Sequence, residues 1–266
     1  MTTILVGECS GSNLFDLWDA DAALETEFEL IVAKALICIY PKYHCIPFGG
    51  TFKLEGNISR PDIALVAKDM SHWFVIEVEL VSHSLEGHVL PQIRTFRYGE
   101  PQNDCVSVLA KALSMDRAQM QTFVLTVPRS VAVIANKRHR DWEIALRSLQ
   151  VQLLAVSAFN SPNGQQAVEI DGNLIAQQQH LGFGQYSATD RALRFHRGVN
   201  LPDGEIMVDS FDGSGGVWTV TRDSTTAWVT KNQGVPDIEN GSYIQIVRLF
   251  GGRFSIRPSP ASSNHR

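Results

Sequence analysis

Residues 73–81 read Trp-Phe-Val-Ile-Glu-Val-Glu-Leu-Val, an apolar run broken only by Glu77 and Glu79. Its β-branched and aromatic content predicts a buried strand rather than a helix. Side chains alternate along a strand, so both glutamates leave by one face while Ile76, Val78 and Leu80 leave by the other. Two like charges on a central strand cost several kcal/mol to desolvate unless something positive offsets them. A fold that buries this strand therefore has to bring a cation to its acidic face.

The preceding segment supplies a third acid. Asp62 follows Pro61 and opens a short apolar strand over 63–66, which the polar stretch 68–71 separates from the glutamate strand. Three carboxylates converging from neighbouring strands make a hard oxygen site suited to Mg²⁺ or Mn²⁺. Such a site lowers the pKa of a bound water and clamps a phosphodiester oxygen. His83 and His88 lie in the polar stretch beyond and read most simply as exposed loop histidines without function.

Around these strands the pattern alternates. Residues 19–40 are helical, with Leu24, Phe28, Ile31, Ala35 and Ile39 at spacings of three and four, Asp19 or Asp21 available as a cap, and Pro41 as the stop. Loosely alternating residues 43–54, with Gly49-Gly50 as a turn, suggest strands. Helices are expected near 86–98, 106–113, 116–123 and 140–149, and strands near 130–135 and 151–159. This order indicates an α/β sheet with helices on its faces. Past residue 160 the texture changes to short Val-, Ile-, Thr- and Trp-rich stretches punctuated by Asn-Gly, Asp-Gly and Gly-Gly pairs, which predicts a smaller all-β C-terminal module of five or six strands. Gly182-Phe-Gly184 is read as a turn. The expected divisions are 1–160 for the metal-binding domain, 161–194 as a linker or sheet extension, 195–258 for the β module and 259–266 as a disordered tail.

Pro61-Asp62, fifteen residues to Glu77, and an acid-x-acid pair on an apolar strand resemble the PD-(D/E)XK, restriction endonuclease-like, nuclease superfamily. Glu79 replaces the usual lysine, which resembles the ExE variant of that family. The resemblance covers roughly residues 19–150. It implies a restriction endonuclease-like mixed sheet flanked by helices and Mg²⁺-dependent (or Mn²⁺-dependent) endonuclease hydrolysis of DNA, in which Asp62, Glu77 and Glu79 hold metal and Glu79 is either ligand or base. An antiphage or restriction-type role follows by analogy. It further implies a supporting glutamate on the first helix, Glu27 or the nearly equivalent Glu25. Gln92, four residues before Phe96 on the helix after the motif, matches a recurrent glutamine of the family. The alternative is a degenerate nuclease fold that binds nucleic acid or a protein without cutting, a reading the missing lysine favours.

For nucleic-acid contact the candidates are Arg94 and Arg97 beside Gln92, and Lys137 and Arg138 in a basic run at a strand-to-helix junction. The net charge of −5 argues against a wholly basic surface and leaves room for a local one. The C-terminal module is expected to choose the substrate, a protein partner or a second copy of the chain. Four cysteines without a CxxC pair, no apolar run of about 18 residues and no basic-then-apolar leader fit a cytoplasmic, reducing setting away from membranes.

Overall fold

The apolar run at 73–79 forms the middle of a sheet because it can be buried on both faces, and every one of its residues is buried. The computed structural model describes residues 2–6, 14–20, 25–176, 178–210, 215–249 and 252–259. The expected tail at 259–266 lies, beyond Ser259, outside the described residues, as do Asp21 and Leu24 of the first helix. The chain divides into two units. One comprises 1–69, 73–124 and 129–175, and the other comprises 70–72, 125–128 and 176–266.

In the first unit, strands β1 (Thr2–Val6) and β2 (Asp16–Leu17) precede helix α1 (Glu25–Ile39). Antiparallel strands follow: β3 (Tyr43–Pro47), the short β4 (Phe52–Leu54) and β5 (Asn57–Ser59), then β6 (Ile63–Ala67) and β7 (Trp73–Glu79). A π-helical turn over Leu85–Val89 leads into α2 (Leu90–Tyr98), β8 (Glu100–Pro101), α3 (Asn103–Leu113) and α4 (Arg117–Thr126). The unit closes with β9 (Arg129–Ala135), α5 (Arg140–Ser148), β10 (Gln152–Asn160) and β11 (Gln166–Asp171). The main sheet runs β1-β11-β10-β9-β7-β6-β3, with β2 paired to β10. Pairing is antiparallel from β3 through β7 and parallel from β7 through β9 to β10, where the connections carry helices.

Helix α1 buries Phe28, Ile31, Val32, Ala35 and Leu36 along one stripe, while Ile39 is only half-buried. Trp73 anchors the core, its ring 6.1 Å from Phe48, 6.5 Å from Phe52 and 5.9 Å from Phe123. Burying one such aromatic contributes roughly 2–3 kcal/mol, which helps offset the desolvation of the acids on the same strand. The helix expected over 86–98 is split. Ser84 Oγ accepts from the Gly87 N–H at 3.1 Å and sets up the wider turn, and the tighter ladder starts at Leu90 with Pro91, which has no N–H to donate.

The second unit is a closed barrel of seven strands in the order β12-β13-β16-β15-β14-β18-β17. These are β12 (Gln178–Ser187), β13 (Ala192–His196), β14 (Gly204–Ser210), β15 (Gly216–Arg222), β16 (Thr226–Lys231), β17 (Tyr243–Leu249) and β18 (Phe254–Pro258). Closure through β12–β17 pairing removes the exposed edges that an open sheet would carry. Trp218, Leu193, Val208, Val229, Ile246 and Ile256 fill the interior. The module thus begins at 178 rather than 195. Of the stretch read as linker or sheet extension, β11 completes the main sheet while β12 and the start of β13 belong to the barrel. Gly182 and Gly184 lie inside β12 rather than in a turn, and a Cβ on Gly184 would sit 2.6 Å from the Phe195 ring. The glycine is there to admit an aromatic, not to reverse the chain. Among the described helices, none is long and apolar enough to cross a membrane.

Candidate functional site

The antiparallel register of β6 and β7 pairs Ile63 with Ile76, which sets Asp62 beside Glu77 at the strand end. Asp62 is held from two sides. Its carbonyl accepts from the Phe48 N–H at 2.7 Å, and its Oδ2 accepts from the Val78 N–H at 2.7 Å. Glu77 is 4% exposed, and its Oε2 is buried with no hydrogen-bond partner. The two carboxyls are hydrogen-bonding neighbours, which two carboxylates can be only by sharing a proton or a cation.

Glu79 is 1% exposed and lies on the same side of β7 as Glu77. Its Oε1 accepts from the Leu80 N–H at 3.1 Å and contacts His83 Nδ1, and its Oε2 lies 3.3 Å from His88 Nε2. The chain delivers both histidines by a tight return. The His83 N–H donates to the Leu80 carbonyl at 2.9 Å, and the turn capped by Ser84 brings His88 back, its ring 5.7 Å from that of His83 and nearly perpendicular to it. The sequence alone suggests idle loop residues at both positions. The structure sets both against a buried acid instead, and the signal for it was the spacing Glu79-x₃-His83-x₄-His88.

The first turns of α1 contribute two more acids, and the choice between Glu25 and Glu27 is settled by helical phase. Glu25 Oε1 is 3.7 Å from His83 Nδ1. Glu29, one turn on, acts on Asp62. Glu27 is exposed: two residues of helix turn a side chain by about 200°, away from the face that carries 25 and 29. Glu27 thus faces solvent, whereas Glu25 and Glu29 face the acid cluster.

The electrostatics follow from this crowding. The Asp62 carboxyl is pushed up to about 7, first by burial and then by Glu29, Glu25 and Glu79, against the lowering effect of the Val78 N–H. Glu77 is held well above the usual carboxylate range by burial and then by Asp62 and Glu79. Glu79 is raised by burial and by Glu25, with His83 opposing. Burial and the neighbouring Glu25 also raise Glu29. All the leading charge influences on Asp62 and Glu77 are acidic, so the cluster fits a divalent cation: Asp62 and Glu77 offer oxygens, and Glu79, His83 and His88 offer an oxygen and two nitrogens.

The remaining sequence candidates are dispersed. Gln92 is half-buried on α2, and its Oε1 is buried without a hydrogen-bond partner. Phe96, on the same face, is fully buried with its ring 5.8 Å from Phe52. Arg94 is exposed. Arg97 donates to Gln150 Oε1 at 2.8 Å and lies 5.9 Å from the Tyr98 ring centre. Arg138, expected to contact phosphate, is instead paired with both Asp171 and Glu143. Lys137 is exposed and lines a cleft of about 190 Å³ with Trp18, Asp19, Phe28, Asn136 and Ser157. In the barrel, Arg222 pairs with Asp203 and Arg253 with Asp209. Cys38, Cys45 and Cys105 are free thiols, and burial pushes Cys45 up to about 11 and Cys105, aided by Asp104, to about 12. No protein-family model, no curated protein and no solved structure matches this chain.

Proposed function

We propose that the α/β unit is a metal-dependent nuclease of the PD-(D/E)XK type, ExE variant, that hydrolyses DNA phosphodiester bonds. The observation that carries this reading is the acid pair of Glu77 and Asp62, in which the buried Glu77 Oε2 has no hydrogen-bond partner and which a cation would satisfy. The element order supports it: a helix, then antiparallel β3, β6 and β7, then helices and the parallel strand β9, with Asp62 and Glu77 on adjacent strands.

Asp62 and Glu77 would hold a Mg²⁺ or Mn²⁺ ion, which when bound acidifies a water and polarises a phosphodiester oxygen. The Val78 N–H fixes the Asp62 carboxylate, leaving its other oxygen to turn toward Glu77. Glu25, Glu29 and Glu79 deepen the negative potential that draws the cation in. The β module would choose the substrate or a partner. A second reading is a nuclease-fold binder that does not cut. It is favoured by the engagement of Arg97 with Gln150 and of Arg138 with two carboxylates, which occupies two of the four cations expected to grip a backbone.

Titrating Mg²⁺ and Mn²⁺ over supercoiled plasmid, linear duplex, single-stranded DNA and RNA decides between them. Cleavage of DNA that disappears with Asp62→Asn is expected. Binding without cleavage at any metal concentration, or cleavage indifferent to Asp62→Asn, would sink the nuclease reading.

A further inference from the structure

We propose that Glu79, His83 and His88 form a second metal site, distinct from the all-oxygen Asp62–Glu77 site, that takes a borderline divalent cation with Zn²⁺ preferred. Each residue offers one ligand atom, and the three atoms lie within 4.8 Å of one another. Ligands about 2.0–2.1 Å from a tetrahedral Zn²⁺ are about 3.3 Å apart, and His88 Nε2 and Glu79 Oε2 already stand at 3.3 Å.

The donor set differs in kind from that of Asp62 and Glu77. Two imidazoles and one carboxylate suit Zn²⁺ and its transition-metal neighbours, whereas Mg²⁺ prefers oxygen and retains its waters. Two histidines, one glutamate and an open fourth position are the composition of a catalytic rather than a structural zinc site. The exposure is graded accordingly: Glu79 is 1% exposed while the side chains of His83 and His88 are 38% and 53% exposed, so the site opens toward solvent on the histidine side. Glu25 Oε1 lies 3.7 Å from His83 Nδ1, the same ring nitrogen that faces Glu79, and so adds negative potential at the ligand side of the site.

The local backbone also favours a built site. His83 and His88 are five residues apart, and the Ser84-capped turn is what brings their rings together. The competing account is that the histidines only neutralise a buried glutamate, which calls for a proton on the ring nitrogens that a metal would occupy.

The test uses the full chain and Co²⁺, whose visible absorption is intense in four- or five-coordinate nitrogen–oxygen sites and weak in six-coordinate oxygen sites. Wild type is expected to take up one equivalent of Co²⁺ with intense absorption, displaced by stoichiometric Zn²⁺ but not by excess Mg²⁺. The band is expected to persist in Asp62→Asn and to vanish in the double variant His83→Gln, His88→Gln. If that double variant does not fold, His88→Gln alone, altering the more exposed ligand, is expected to weaken Co²⁺ binding by about 10-fold or more. No intense band in wild type, a band that survives loss of both histidines, or one that disappears with Asp62→Asn overturns the proposal. The site stands apart from the nuclease reading. Mg²⁺-dependent cleavage without the Co²⁺ band would refute this site alone, and the band without cleavage would refute only the nuclease.

Discussion

The Val78 N–H donates to Asp62 Oδ2 at 2.7 Å, so the aspartate is fastened to the one residue of β7 that lies between the two buried glutamates. The bond fixes the acid cluster and leaves its charge uncompensated. Removing the charge and removing the acceptor should therefore have opposite effects.

Asp62→Asn keeps a carbonyl oxygen for Val78 and relieves the repulsion with Glu77, so without metal its thermal midpoint above pH 7 should equal or exceed that of wild type. Asp62→Ala leaves the buried Val78 N–H without its acceptor and should fall below Asp62→Asn by about 1–3 kcal/mol. Both should lower cleavage by about 100-fold or more if Asp62 is a ligand. Thermal melts and plasmid cleavage of the pair check this, and equal stability of the two variants would count against the Val78 bond.

Compared with Asp62→Asn, the metal-free wild type should lose stability as pH rises. The folded pKa of Asp62, about 7, is above the unfolded value near 3.8, so the folded state binds the extra proton. Its contribution is full below pH 3.8 and is lost as pH climbs through 7, amounting to at most about 4 kcal/mol. Glu77, raised in the same direction, extends the decline. Denaturant melts between pH 4 and 8 should show the decline without metal, a smaller one in Asp62→Asn, and a flattened one in saturating Mn²⁺. A wild type that loses no more stability than Asp62→Asn over this range contradicts the assignment.

Helical phase makes a sharper prediction on α1. Glu27→Gln should leave metal affinity and cleavage within about 2-fold of wild type, because the side chain faces solvent. Glu25→Gln removes a carboxylate from beside His83 and Glu79 and should weaken divalent-metal binding by about 10-fold. Calorimetric metal titrations of the two variants distinguish them, and a larger effect at 27 would reverse the assignment.

In the barrel, Gly184→Ala should destabilise by about 1–3 kcal/mol, because its Cβ would fall 2.6 Å from the Phe195 ring and 2.8 Å from the Arg194 carbonyl. Gly164→Ala, with open space around it, is limited by backbone strain alone at φ +78°. Chemical denaturation measures both, and an unaffected Gly184→Ala would mean that β12 and β13 can part without cost.

Much of the first unit could be read from the chain because its signals are local. The apolar run at 73–79, the α1 stripe through Phe28, Ile31 and Ala35, and the alternation of strands and helices up to 160 each depend on neighbours within a few residues. Asp62, Glu77 and Glu79 could be singled out for the same reason: period-two alternation fixes the side of the strand, and burial of the strand raises the cost of its acids. What the sequence could not settle were relationships of phase and long-range pairing. Glu25 instead of Glu27 depends on how α1 is rotated over the sheet, and the engagement of Arg138 depends on Asp171, 33 residues away. The barrel begins at 178 because β12 pairs with β17 some 60 residues later, a closure that no hairpin signal records. His83 and His88 lie in polar sequence that looks like open loop. Only the return of the chain through the Ser84-capped turn sets them on the two oxygens of Glu79, since a carboxylate that is 1% exposed must find its partners wherever the backbone can carry them.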